Sequence, residues 1–124
     1  MQGLFERGVA EFNGQFFFEA HDTWEELWRE TNGPHRLFYQ GLIQTAVGFY
    51  HLSNGNFKGA CGQLGKALAK LSGYVPCYGG IETLPLVERI RECLRESERL
   101  RDGRGGTFDV TGIPRIRFED VNSI

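Results

Sequence analysis

Pro34-His35-Arg36-Leu37-Phe38-Tyr39-Gln40-Gly41-Leu42-Ile43-Gln44-Thr45-Ala46-Val47-Gly48-Phe49-Tyr50-His51-Leu52-Ser53 is the stretch whose reading decides the fold. Its apolar residues fall in nearly every direction around a helix axis, and a helix that is apolar on most sides is one covered by neighbours. The chain therefore reads as all-α with this segment as its central helix. Three polar residues break the pattern: Gln40, Gln44 and His51 share one face within about 40° of one another, flanked by Gly41 and Gly48. Polar groups on a buried helix need partners.

Working outward, Asn32-Gly33 ends a preceding helical pattern that runs from Gln15 to about Thr31, and Pro34 opens the central helix. Asn13-Gly14 separates that pattern from a short amphipathic helix over residues 3–12, with Leu4 or Phe5, Val9 and Phe12 on one side. Downstream, Asn54-Gly55-Asn56 is a turn and Asn56 a good N-cap for a fourth helix with Phe57, Ala60, Leu64, Ala67 or Leu68, and Leu71 as its seam, stopping at Gly73. Gly59, Gly62 and Gly65 cost this helix up to ~1 kcal/mol each relative to alanine, so a close approach by a neighbour is expected there.

Tyr74 to Glu82 reads as a loop, and Thr83 as the cap of a fifth helix from Leu84 to about Asp102, with Leu86 or Val87, Ile90, Leu94 and Ser97 inward. Glu88 with Arg91, Glu92 with Arg95, and Glu96 with Arg99 have the spacing of surface ion pairs. After Gly103 to Gly106 the chain continues as an extended tail tethered by Ile113, Ile116 and Phe118. The expected architecture is a single-domain array of about five helices, with an antiparallel hairpin of the second and third at its centre. Residues 1–106 form the helical domain, and the tail, 107–124, packs on it.

At 124 residues and 40% hydrophobic content, one core is the natural outcome. The net charge of −2 argues against a general nucleic-acid or membrane-surface binder. Arg91, Arg95, Arg99 and Arg101 would be the residues of an RNA-binding face, but acids interleave with them and a solvated helix face is the better reading. The charge is uneven: residues 1–33 are acid-rich, and residues 34–81 hold bases and no acid. Cys61, Cys77 and Cys93 form neither a CxxC pair nor an even framework, which suits a reducing cytoplasm. No basic leader precedes an apolar run, and Leu42 to Leu52 is too short to span a bilayer, so a soluble, unexported protein is expected.

The chemically distinctive segment is Glu19-Ala20-His21-Asp22-Thr23-Trp24-Glu25-Glu26-Leu27-Trp28-Arg29 on the second helix. With His21 at 0° on a helical wheel, Glu25 falls at about 40°, while Phe17, Trp24 and Trp28 cluster on the other side of His21. His21 and Glu25 thus stand at the edge of the buried stripe. Glu19, Glu26 and Glu30 turn away from it to solvent, and Asp22 and Arg29 are assigned to the surface or its edge. A histidine and glutamate four apart bring their heads together. That geometry suits an ion pair, two ligands of a divalent metal, or a proton-transfer pair in which Glu25 orients His21.

In an antiparallel hairpin Gln40 and Gln44 face this pair, and His51 is the third candidate metal ligand. Two imidazoles and a carboxylate would suit zinc, iron or manganese. A buried hydrogen-bonded network of Gln40, Gln44, Tyr50 and His51 without a ligand is the competing reading.

Several residues carry a resemblance: Asn13-Gly14, Phe17, Glu19-Ala20-His21, Glu25-Glu26-Leu27-Trp28, Gln40-Gly41-Leu42-Ile43-Gln44, Ala46, Tyr50-His51, Asn56 and Gly59-Ala60. Over about residues 5 to 75 they resemble DUF309, a family of small bacterial and archaeal proteins with an HxxxExxW hallmark. Asp22 stands where that family would lead one to expect glutamate. The resemblance implies an all-helical fold and supports the choice of His21, Glu25 and Trp28; it implies no established activity, cofactor or substrate.

Two functions follow as expectations. In one, His21, Glu25 and His51 bind a divalent metal, or His21 and Glu25 act catalytically on a small ligand held by Trp28, Gln40 and Gln44, with hydrolysis as the enzymatic form. In the other, the domain is a non-catalytic protein interaction module, a homo-oligomer among the assemblies it allows, and His21–Glu25 is a structural buried pair.

Overall fold

The computed structural model describes residues 3–120. Five helices follow one another: α1 (Leu4–Asn13), α2 (Phe17–Arg29), α3 (His35–Ser53), α4 (Phe57–Leu71) and α5 (Thr83–Arg101). The fold is all-α, as the sequence predicts. Each helix packs on the next in the chain, and α3 lies between α2 and α4. Phe38, Leu42, Ala46 and Phe49 of α3 are wholly buried, which is what its all-round apolar pattern requires.

Hairpin α1–α2 closes around Trp24. Its indole lies against Gly8, where an added Cβ would come within 2.1 Å of Nε1, and Nε1 donates to the Phe5 carbonyl at 3.2 Å. Between the two helices the left-handed conformation falls on Gln15 (φ 65°), not on Gly14. Asn13, expected to mark only a turn, pairs with the tail instead. Its amide donates to the Ile116 carbonyl (2.9 Å) and accepts from the Ile116 N–H (2.7 Å).

Close approach of α3 to α4 is achieved at Gly41 and Gly48 of α3. An added Cβ there would lie 2.8 Å from Leu71 and 2.6 Å from Leu64 respectively. This corrects the expectation for α4 itself: Gly62 and Gly65 have open space around them, and only Gly59 has near neighbours, Asn56 and His51. Asn56 caps α4 by accepting from the Gly59 N–H at 3.0 Å. The helix ends at Leu71 and passes into a 3-10 turn, Ser72–Tyr74, rather than stopping at Gly73.

The segment expected to be a loop holds a small antiparallel hairpin, Cys77–Tyr78 with Ile81–Glu82. Gly79 and Gly80 turn it with φ of 60° and 83°, the positive values a two-residue turn needs. Thr83 is the first residue of α5 rather than its cap, and its hydroxyl donates to the Tyr74 carbonyl at 2.6 Å. Of the three expected ion pairs on α5, Glu96–Arg99 forms, at 3.4 Å. Arg89 takes Glu92 and also donates to the Gly112 carbonyl.

The tail is extended except for a 3-10 turn at Val110–Gly112. Ile113 and Ile116 are buried, and Phe118 bridges Ile81 at the hairpin's edge while half of its surface stays exposed. Residues 121–124 of the expected tail lie outside the described residues, as do residues 1 and 2. No described helix is long and apolar enough to cross a membrane.

Candidate functional site

Successive turns of α2 carry His21, Glu25 and Trp28 along one edge, so that α3 can meet them. Gln40, Ile43, Gln44 and Val47 of α3 lie opposite, and the two rows line one recess of about 270 Å³. Of the six residues expected to converge here, His21, Glu25, Trp28, Gln40 and Gln44 are in its wall, and His51 is not. Gln63 of α4 is there as well, and sequence reasoning did not single it out. Its signal was faint: one neutral polar side chain between Ala60 and Leu64, two fully buried residues of the α4 seam.

Nε2 of His21 is 2.9 Å from Oε2 of Glu25, and Nδ1 is 3.2 Å from Oδ1 of Asp22. The other Glu25 oxygen, Oε1, accepts from Arg29 at 3.0 Å. Asp22 and Arg29 are exposed, as their positions on the wheel suggest, yet both are members of a continuous polar chain through the pair. Glu19, Glu26 and Glu30 are also exposed and take no part in it.

Trp28 is fixed from outside. The Arg36 guanidinium carbon sits 3.8 Å from the centre of its ring, and Nη1 of the same arginine donates to the Trp28 and Thr31 carbonyls. Such stacking holds an aromatic plane without using its N–H. That N–H is in fact orphaned: Trp28 Nε1 and Gln44 Oε1 are both shut from solvent with no hydrogen-bond partner. A buried donor or acceptor left unpaired costs about 1–3 kcal/mol, and both of these atoms belong to residues that line the recess.

His51 stands apart. It accepts from the Asn56 amide at 3.3 Å, packs on Tyr50 and lines a second recess of about 210 Å³ with Phe17, Phe18, His21, Val47 and Tyr50. Among the described residues, the side chains able to share a metal ion are His21, Asp22 and Glu25, whose ligand atoms lie within 4.8 Å of one another. The structure does not bring His51 into that group. Seven residues separate it from Gln44, roughly 10 Å of helical rise, and its Nδ1 is taken by Asn56.

None of the curated proteins matches the chain. Residues 5–62 match the model of the family described as Domain of unknown function (DUF309). That segment runs from α1 into α4 and contains every residue of the polar recess but Gln63. Over these residues, a little under half of its length, the chain is similar to the DUF309 family.

Proposed function

We propose that the recess between α2 and α3 binds a small polar molecule, and that His21 and Glu25 exchange a proton with it. One observation carries this reading: Trp28 Nε1 and Gln44 Oε1 are buried without partners, and both residues line a recess that also holds the only His–Glu contact among the described residues. A molecule that accepts from the indole and donates to the amide oxygen satisfies both orphans at once. A carboxamide or a hydroxyl compound has that chemistry.

In an enzymatic form Asp22 orients the imidazole through Nδ1, and the Nε2–Oε2 contact is where a proton passes to or from a bound hydroxyl or water. Hydrolysis of an amide or ester is the reaction such a pair suits. Cys61, Cys77 and Cys93, all free thiols, support a cytoplasmic setting for it.

Saturation-transfer NMR with acetamide tests the binding. Transfer to acetamide from wild-type protein but not from a folded Gln44→Leu variant supports the reading. Equal transfer from both removes it.

A second reading, a divalent ion on His21, Asp22 and Glu25, draws on their mutual approach. It ranks lower because the two carboxylates meet different ring nitrogens. An ion on Nε2 keeps Glu25 as its neighbour and leaves Asp22 to orient the ring, two protein ligands where catalytic zinc sites take three. Titration with zinc, manganese and iron(II), read by calorimetry, separates the two.

A further inference from the structure

His21 and Val47 line both recesses, the polar one and the second one bounded by Phe17, Phe18, Tyr50 and His51. The second is walled almost wholly by rings. Phe18 lies 5.7 Å from both His21 and Tyr50, centre to centre, and Tyr50 lies 5.8 Å from His51. Phe18 and Tyr50 stay 49% and 39% exposed, although apolar side chains of their size gain by being covered. Resting on the reading that the polar recess binds a ligand, we infer that the two recesses form one site for an amphipathic small molecule. Its polar head, carrying both a donor and an acceptor, pairs with Trp28 and Gln44, and its aromatic or branched apolar body fills the ring-lined half beyond His21. The substrate class is then an aryl or branched-alkyl amide or ester rather than a sugar or a fully polar metabolite, because the second half offers no polar group besides the histidine and tyrosine rings.

Position supports this assignment beyond apolarity alone. The imidazole is the partition between the halves, so a molecule spanning them places the bond between head and body beside His21 Nε2 and Glu25, the pair available to move a proton. A site for a purely polar ligand would have no need of the second recess. An apolar site unrelated to the first would have no reason to share its histidine.

Three probes test the inference on the full chain: acetamide for the head alone, toluene for the body alone, and benzamide for both. Binding is followed by two-dimensional NMR of the Trp28 indole N–H and the ring protons of Phe18 and Tyr50. Benzamide should bind about tenfold or more tightly than either half-probe and move both sets of signals, since burying a ring contributes that order of affinity. Phe18→Ala, an exposed position, should remove benzamide's advantage and leave acetamide binding unchanged. Acetamide binding at Trp28 with benzamide no tighter overturns the composite site while leaving the polar one. Benzamide moving only the Phe18 and Tyr50 signals, as toluene does, also overturns it. If none of the three binds, both readings fall.

Discussion

Nε2 of His21 and Oε2 of Glu25 are 2.9 Å apart, and the two side chains remain 24% and 33% exposed. The pair is therefore close enough for a charge-assisted hydrogen bond and open enough to meet a solute. Exposed ion pairs four residues apart on a helix contribute only about 0.3–0.5 kcal/mol, so the contact is a weak fastener.

His21→Gln and Glu25→Gln are accordingly expected to lower stability by less than about 1 kcal/mol each in urea denaturation, with the helical far-ultraviolet spectrum kept. A loss of about 3 kcal/mol or more would make the pair a structural lock of the kind the interaction-module reading requires.

Gln44→Leu should raise stability by about 0.5–1 kcal/mol while abolishing probe binding, because it removes a buried acceptor that has no partner and keeps the side-chain volume. Thermal unfolding of the variant beside wild type reads this directly. Destabilisation instead would mean that Oε1 is satisfied in the native protein.

Glycines on facing helices should respond oppositely to alanine. At Gly48 the new Cβ would meet Leu64 Cδ2 at 2.6 Å and its backbone nitrogen at 3.2 Å, so Gly48→Ala is expected to cost about 1–3 kcal/mol. At Gly62, in open space inside α4, alanine should add about 0.5–1 kcal/mol. Paired urea titrations decide both, and equal signs would contradict the packing described for α3 and α4.

Cys93 is buried against α5's neighbours, and burial pushes its thiol up to about 11 from the ordinary 9.0, with nearby Arg89 pulling the other way. The folded protein thus keeps the thiol protonated where the unfolded chain ionises. Its contribution is complete below about pH 9 and is lost as pH rises toward 11. The stability advantage of wild type over Cys93→Ala should shrink between pH 8 and pH 10.5, and iodoacetamide at neutral pH should label exposed Cys77 well before Cys93.

Much of this was legible because helical phase alone sorts residues. The 100° step placed His21 and Glu25 on one edge and Glu19, Glu26 and Glu30 on the other, and hairpin register brought Gln40 and Gln44 opposite the pair. Phase says nothing about reach, however. Hence the sequence groups His51 with His21 and Glu25 although it accepts from Asn56, and it leaves out the carboxylate of Asp22, which is exposed yet reaches Nδ1. Contacts between distant segments were the least legible. Asn13 reaching the Ile116 backbone, the Gly79-Gly80 hairpin against Phe118, and Gln63 in the recess wall each depend on which element lies alongside. Gly62 and Gly65 misled for the same reason: a glycine marks close approach only where a neighbour exists, and here it is α3 that supplies the glycines.

If the Trp28 N–H is held unpaired for a ligand, the chain's two tryptophans provide an internal comparison. Trp24 Nε1 already donates to Phe5 in the core, whereas Trp28 Nε1 has no partner. Acetamide titrated into ¹⁵N-labelled protein should move the Trp28 indole signal downfield along a saturable curve and leave the Trp24 signal in place. Two indole signals that stay fixed, or that drift together in proportion to added acetamide, would contradict the account.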